Sequence, residues 1–325
     1  MKISTSQLVE GVLSGNKRLL GKAITLVESK KREHRLQAEE LLEALMPYTG
    51  NSVRIGVTGV PGAGKSTFIE HFGKLVIAKG KRVAVLAIDP SSSLSKGSIL
   101  GDKTRMEALA KDENAFIRPS PSSGFLGGVA NTTFETMLVC EAAGYDYILI
   151  ETVGVGQSEV LVADISDVFL FLKIMGGGDE LQGIKRGIME MVDVIFINKV
   201  EEEHRQKALQ IRQELTRALQ FLPSKEEGWK VPVLMGSALY GLGLEEVYGK
   251  IEDFVRFKVA GGRFDQVRRQ QAEKRFDYWV REYLLQRTRS QSEFGGVWEN
   301  LRRKVSGLEA NPSTEAKRFV DKLFG

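Results

Sequence analysis

The residues Gly59-Val60-Pro61-Gly62-Ala63-Gly64-Lys65-Ser66 fit the spacing G-x-x-x-x-G-K-[ST]. They lie between the apolar run Val53 to Thr58 and the helical pattern TFIEHFGKLVIAK. Strand, glycine-rich loop and helix in that order is the context in which such a loop wraps a phosphate with its backbone N–H groups. Lys65 supplies a point charge to the β- and γ-phosphates, the helix N-terminus adds a favourable dipole, and Ser66 offers its hydroxyl to Mg²⁺. The nucleotide contacts expected here run through Gly59, Val60, Pro61, Gly62, Ala63, Gly64, Lys65, Ser66 and Thr67.

Magnesium takes hard oxygen ligands, and an α/β sheet presents them at the C-terminal ends of its strands. Asp89 ends the run VAVLAI and Glu151 ends YILI. Each carboxylate can meet the metal directly or through water, and each can instead cap a following helix or turn; Asp89 precedes Pro-Ser-Ser-Ser, a turn-forming sequence. Gly154 and Gly156 follow Glu151 in ETVGVGQSEV, where they let the chain approach a γ-phosphate and rearrange when it is lost. Base selection is expected at a later strand end. Asn198-Lys199-Val200-Glu201 follows VIFI and matches the guanine signature N-K-x-D with one methylene added. The acid of that signature accepts two hydrogen bonds that adenine cannot donate, which discriminates strongly. Gly236-Ser237-Ala238-Leu239, after VPVLM, resembles the remaining base-contact loop.

The elements that must position these groups follow from the periodicity. Residues 1–50 show helical spacing of apolar side chains (Leu8, Val12, Leu19, Leu20, Ile24, Val27, Leu41, Leu42, Leu45) and read as a helical extension. Over 51–258, β-rich runs (Val53 to Thr58, Val83 to Ile88, Tyr147 to Ile150, Val168 to Ile174, Val194 to Ile197, Val231 to Met235) alternate with helical patterns. That alternation predicts an α/β fold, a mostly parallel sheet flanked by helices. RPSPSSGFLGG, Arg118 to Gly128, reads as a loop. Over 259–325 the strands vanish, and Phe276, Trp279, Val280, Tyr283 and Leu284 share one helical face. Basic and aromatic residues mix there as they do in some nucleic-acid binders, but Asp265, Glu273, Asp277 and Glu282 dilute the charge; helix packing, including a dimer arm, is favoured.

Composition narrows the function classes. At 325 residues with 42% apolar content, one large core with helical additions is expected. Lys and Arg (46) nearly balance Asp and Glu (42), so no global field argues for nucleic acid. Cys140, the one cysteine, excludes an internal disulfide or a multi-cysteine zinc site and reads as a buried helix position. No stretch approaches 18 apolar residues and the N-terminus has no signal-like region, which predicts a soluble, cytoplasmic protein with no membrane partner. His34, His71 and His204 lack metal-ligand spacing and read as surface residues.

Taken together, GVTGVPGAGKST, LAIDPSSSLSKGSILGDKTRM, RPSPSSG, ETVGVGQSE and GDELQGIKRGIMEM resemble the MeaB/ArgK branch of the P-loop GTPases, over roughly residues 5 to 290. The resemblance implies a homodimeric GTPase, with GTP as substrate and GDP as product, that gates cofactor loading and protects or reactivates an adenosylcobalamin-dependent methylmalonyl-CoA-type mutase. It assigns Mg²⁺ contacts to Ser66, Asp89, Asp102 and Glu151. It also makes Gly176 to Lys185 a switch with Asp179, Gln182 and Lys185 as polar members; read as residues alone, Asp179 and Gln182 are a helix start, and both roles stay open. Gly176-Gly177-Gly178 at its entry favours a disorder-to-order switch. Glu201 stands where the family usually has Asp, a departure that bears on base selectivity. The chemistry expected is in-line attack of water on the γ-phosphoryl group, with Lys65, Glu151, Gln157 and Lys185 as candidate catalytic residues. Val155 cannot polarise water, Gln157 is the nearest amide, and slow intrinsic turnover accelerated by a partner follows. Two other readings remain: a P-loop ATPase or kinase linked to amino-acid transport, and a nucleotide-gated chaperone of another metalloenzyme.

Overall fold

The computed structural model describes residues 3–29, 31–89, 106–121, 126–152, 158–175, 186–223, 225–290 and 292–324. Helices α1 (Thr5–Leu13), α2 (Lys17–Val27) and α3 (Arg32–Leu45) come first. Ser4 opens α1 with a capping box closed by Gln7, and Asn16 caps α2, so the first two starts are set by side chains that satisfy otherwise unpaired N–H groups.

The sheet begins at β1 (Val53–Gly59), followed by α4 (Lys65–Ala78), β2 (Val83–Asp89), α5 (Glu107–Ala110), β3 (Ala115–Pro121), α6 (Leu126–Ala142), β4 (Tyr147–Glu151) and α7 (Ser158–Ala163). It is completed by β5 (Val168–Ile174), α8 (Arg186–Met189), β6 (Val194–Asn198), α9 (Arg205–Leu219), β7 (Val233–Met235) and α10 (Leu244–Ala260). Seven strands in the order β3-β2-β4-β1-β5-β6-β7 pair in parallel throughout. Both faces are buried, which is why the strands read as nearly continuous apolar runs. In β2 the alternation is plain: Val83 and Val85 join Phe68, Phe72, Ile251 and Phe254 on one side, while Ala84, Leu86 and Ile88 join Leu20, Ile24, Leu41 and Cys140 on the other. The N-terminal helices are therefore continuous with the core of the sheet, and Met1–Val267 forms one compact unit.

Two expectations change. Arg118–Pro121 is not loop but the end of β3, and Leu126–Gly128 opens α6. Pro119 and Pro121 hide the strand in the sequence, and they are tolerated because β3 lies at the sheet edge, where one side needs no ladder donors. Arg118 pairs with Glu28 and thereby ties that edge to α2. The last strand starts at Val233 rather than Val231, although Pro232 still accepts from Ile195 N at 3.0 Å.

The second unit, Arg268–Gly325, is helical: the remainder of α11 (Arg263–Ser290), α12 (Ser292–Ser306) and α13 (Pro312–Phe324). Trp298 meets Phe319 edge-on at 5.0 Å, joining α12 to α13. On α11, Trp279 stacks on Tyr283, but Phe276, Val280, Tyr283 and Leu284 are all exposed. No helix among the described residues is long and apolar enough to cross a membrane.

Candidate functional site

The phosphate loop leaves β1 at Gly59 and enters α4 at Lys65. Two of its glycines are required by close approach. A Cβ on Gly59 would sit 2.4 Å from the Leu172 carbonyl oxygen, and one on Gly64, at φ +86°, would sit 2.7 Å from Asn198 Nδ2. Lys65 is buried, and its ammonium donates to the carbonyls of Gly59 at 2.7 Å and Val60 at 3.3 Å. Burial lowers its pKa, while the charges of Glu151 and Glu159 act in the opposite sense.

Ser66 donates from Oγ to Glu151 Oε1 at 2.9 Å. Glu151 ends β4 between Val57 of β1 and Ala87 of β2, so it stands at the centre of the strand ends; Asp89 ends β2 two positions further on. Adjacent oxygen ligands of an octahedral cation at roughly 2.0–2.1 Å are themselves about 2.9 Å apart, so the Ser66–Glu151 pair suits a small hard cation.

Asn198, the last residue of β6, is buried and spans two loops. Its Nδ2 donates to Ala63 O at 2.8 Å and its Oδ1 accepts from Ala238 N at 2.9 Å. Lys199 follows with φ +62° and is exposed, its stem running toward Gly64. Ser237 and Ala238 are buried, whereas Leu239 opens to solvent. Glu201 is exposed; its carboxylate, that of Glu203 and the His204 ring bring ligand atoms within 4.8 Å of one another, all on the open surface. His34 and His71 are half-buried rather than fully on the surface. The phosphate loop, Glu151, Asn198, Lys199, Ser237 and Ala238 are thus gathered at the C-terminal edge of the sheet. Asp102, Gln157, Asp179, Gln182 and Lys185 lie outside the described residues, as does the side chain of Asp89.

The family model described as "Methylmalonyl Co-A mutase-associated GTPase MeaB" matches residues 20–293. The chain belongs to the MeaB family. GTPase ArgK of Escherichia coli (strain K12) is 46% identical over 316 residues, covering 97% of this chain and 96% of its own. The mitochondrial "methylmalonic aciduria type A homolog" of Mus musculus is 42% identical over 320 residues, covering 95% of this chain and 77% of its own. A crystal structure named for a "LAO/AO transport system kinase" superposes with a TM-score of 0.76 at 37% identity, each chain covered in full. As a MeaB-family GTPase the protein binds guanine nucleotide and hydrolyses GTP.

One polar cluster of this MeaB-family site escaped the sequence reading. Thr58, Thr152 and Glu159 are buried together behind the phosphate loop. Thr58 was the available signal, a polar residue closing the β-rich run Val53 to Thr58 whose hydroxyl needs a partner once buried.

Proposed function

We propose that this GTPase is a chaperone for an adenosylcobalamin-dependent methylmalonyl-CoA-type mutase, gating cofactor loading and protecting or reactivating the mutase in the cytoplasm. The observation that carries the reading is the family match over residues 20–293, supported by the aciduria-type homologue that covers 95% of this chain. Residues 51–258 are the GTPase domain, 1–50 its helical extension and 259–325 a homodimerisation arm, for which the exposed apolar face of α11 speaks.

In this reading the loop N–H groups from Gly59 to Thr67 hold the phosphates, and Lys65 exchanges its loop carbonyls for β- and γ-phosphate oxygens. Ser66 and Glu151, with Asp89 and Asp102, hold Mg²⁺, which when bound neutralises charge on the transferring phosphoryl group. Glu201 accepts from the guanine edge, Lys199 and Leu239 flank the base, and Asn198 with Ser237 and Ala238 fixes the base loop. Gln157 and Lys185 orient water and stabilise charge when Asp179, Gln182 and their neighbours respond to the mutase.

GTP and ATP turnover measured at fixed Mg²⁺, with and without apo and holo methylmalonyl-CoA mutase, tests the proposal. Stimulation of GTP turnover alone is expected; no stimulation by either form of the mutase would sink it. The neighbour named for a transport-system kinase favours a second reading, ATP-dependent phosphotransfer, which ADP binding tighter than GDP would support.

A further inference from the structure

β1 is two-faced in an unusual way. Ile55 and Val57 enter the apolar core on the α4 side, while the opposite face carries Arg54, Gly56 and Thr58. Arg54 is engaged by Glu141. Gly56 admits α7 and the turn after it at close range, since a Cβ there would lie 2.7 Å from both Val162 Cγ1 and Ser166 Oγ. With α7 seated so tightly, Glu159, one helical turn before Val162, lies over Thr58, two residues beyond Gly56 on the same strand face.

Thr58 Oγ1 donates to Glu159 Oε1 at 3.2 Å and accepts from Thr152 Oγ1 at 3.0 Å. The three residues are 0%, 4% and 1% exposed, so the cluster buries a carboxylate and two hydroxyls at a desolvation cost that these hydrogen bonds must offset. An apolar residue at position 58 would leave the buried Glu159 carboxylate and Thr152 hydroxyl without the partner they share. The location explains what is gained. Thr58 immediately precedes Gly59, whose carbonyl holds Lys65, and Thr152 immediately follows Glu151, the partner of Ser66. One hydroxyl therefore ties together the strand end that opens the phosphate loop, the strand end that carries Glu151, and α7.

We propose that Glu159 is a positioning residue for GTP hydrolysis, acting from α7 through the Thr58 hydroxyl on the entry to the phosphate loop. A charge-assisted bond to Thr58 holds Gly59, and with it Lys65, in register with Glu151. Electrostatic stabilisation of the transferring phosphoryl group depends on such fixed placement more than ground-state binding does, so the effect falls on kcat. The negative charge of Glu159 also favours the ammonium form of Lys65. The inference rests on the GTPase reading, which wild-type GTP turnover checks separately.

Glu159→Gln and Thr58→Val, singly and together in the full chain, test it by steady-state GTP kinetics and by titration with a fluorescent GDP. Each single substitution is expected to lower kcat about tenfold with KM and GDP affinity within about twofold, and the double variant to fall no further. Thr58→Ser is expected to recover most of the turnover lost in Thr58→Val. Wild-type kcat in either single variant, additive losses, or loss of GDP affinity as large as the loss of kcat would overturn the proposal. Should Glu159→Gln not fold, the Thr58 variants decide alone: equal turnover by folded Thr58→Val and Thr58→Ser overturns it.

Discussion

Asn198 Nδ2 donates to the carbonyl of Ala63 at 2.8 Å, joining residues 135 positions apart in the chain. Its Oδ1 accepts from Ala238 N, so a single buried carboxamide sets the distance between the phosphate loop and the loop after β7. Asn198→Ala leaves a carbonyl and an N–H buried without that partner, each costing about 1–3 kcal/mol. GDP affinity is expected to fall at least about tenfold, because both loops lose their shared anchor. Denaturant unfolding and fluorescent-GDP titration check the two effects; unchanged affinity in a destabilised variant would show that the anchor serves the fold alone.

Glu151→Gln keeps the volume of the side chain facing Ser66 but removes its charge. Turnover is expected to drop by about two orders of magnitude, and the Mg²⁺ concentration for half-maximal rate to rise. GTP turnover across a magnesium titration reads both. A variant with wild-type magnesium dependence would leave Glu151 as a hydrogen-bond partner of Ser66 and nothing more.

Arg54 and Glu141 form a buried two-point pair, Nε to Oε1 at 2.8 Å and Nη2 to Oε2 at 3.0 Å, with Phe134 over the guanidinium. Removing one member of such a pair strands the other charge, so Glu141→Ala is expected to cost about 3–5 kcal/mol. A chemical unfolding curve gives the value directly. A loss below about 1 kcal/mol would mean that Arg54 finds water or another partner.

Glu135, buried on α6, has its pKa raised to about 7 by burial, with Arg35 of α3 opposing and Glu39 reinforcing the shift. The folded protein keeps the proton between the ordinary carboxylate range and pH 7 while the unfolded chain releases it, so stability falls as pH rises through that window and levels off above it. The full effect is about 3 kcal/mol. Glu135→Gln is expected to flatten the stability profile between pH 5 and 7 and to gain stability above pH 7. The same slope in the variant would assign it to other groups.

The local parts of this protein were legible in the sequence alone. The spacing Gly59 to Ser66 between an apolar run and a helical pattern needs only neighbouring residues to be recognised, and the strand ends at Glu151 and Asn198 follow from runs whose two buried faces leave little but apolar side chains. The amphipathic pattern of α1–α3 announced helices but not what they cover, because a helix face carries no address. It took the packing to place Leu20, Ile24 and Leu41 against the same core as Ala84 and Leu86.

What only the tertiary structure decided lies in pairings between distant residues. β3 was hidden by Pro119 and Pro121, since proline reads as loop until the strand is known to lie at an edge that needs no donors on one side. The bond from Thr58 to Glu159 spans 101 positions, and it exists because Gly56 lets α7 sit against β1. Motif chemistry is written in short stretches because backbone wrapping around a phosphate is local; the placement of that chemistry depends on how strands and helices stack, which no single stretch contains.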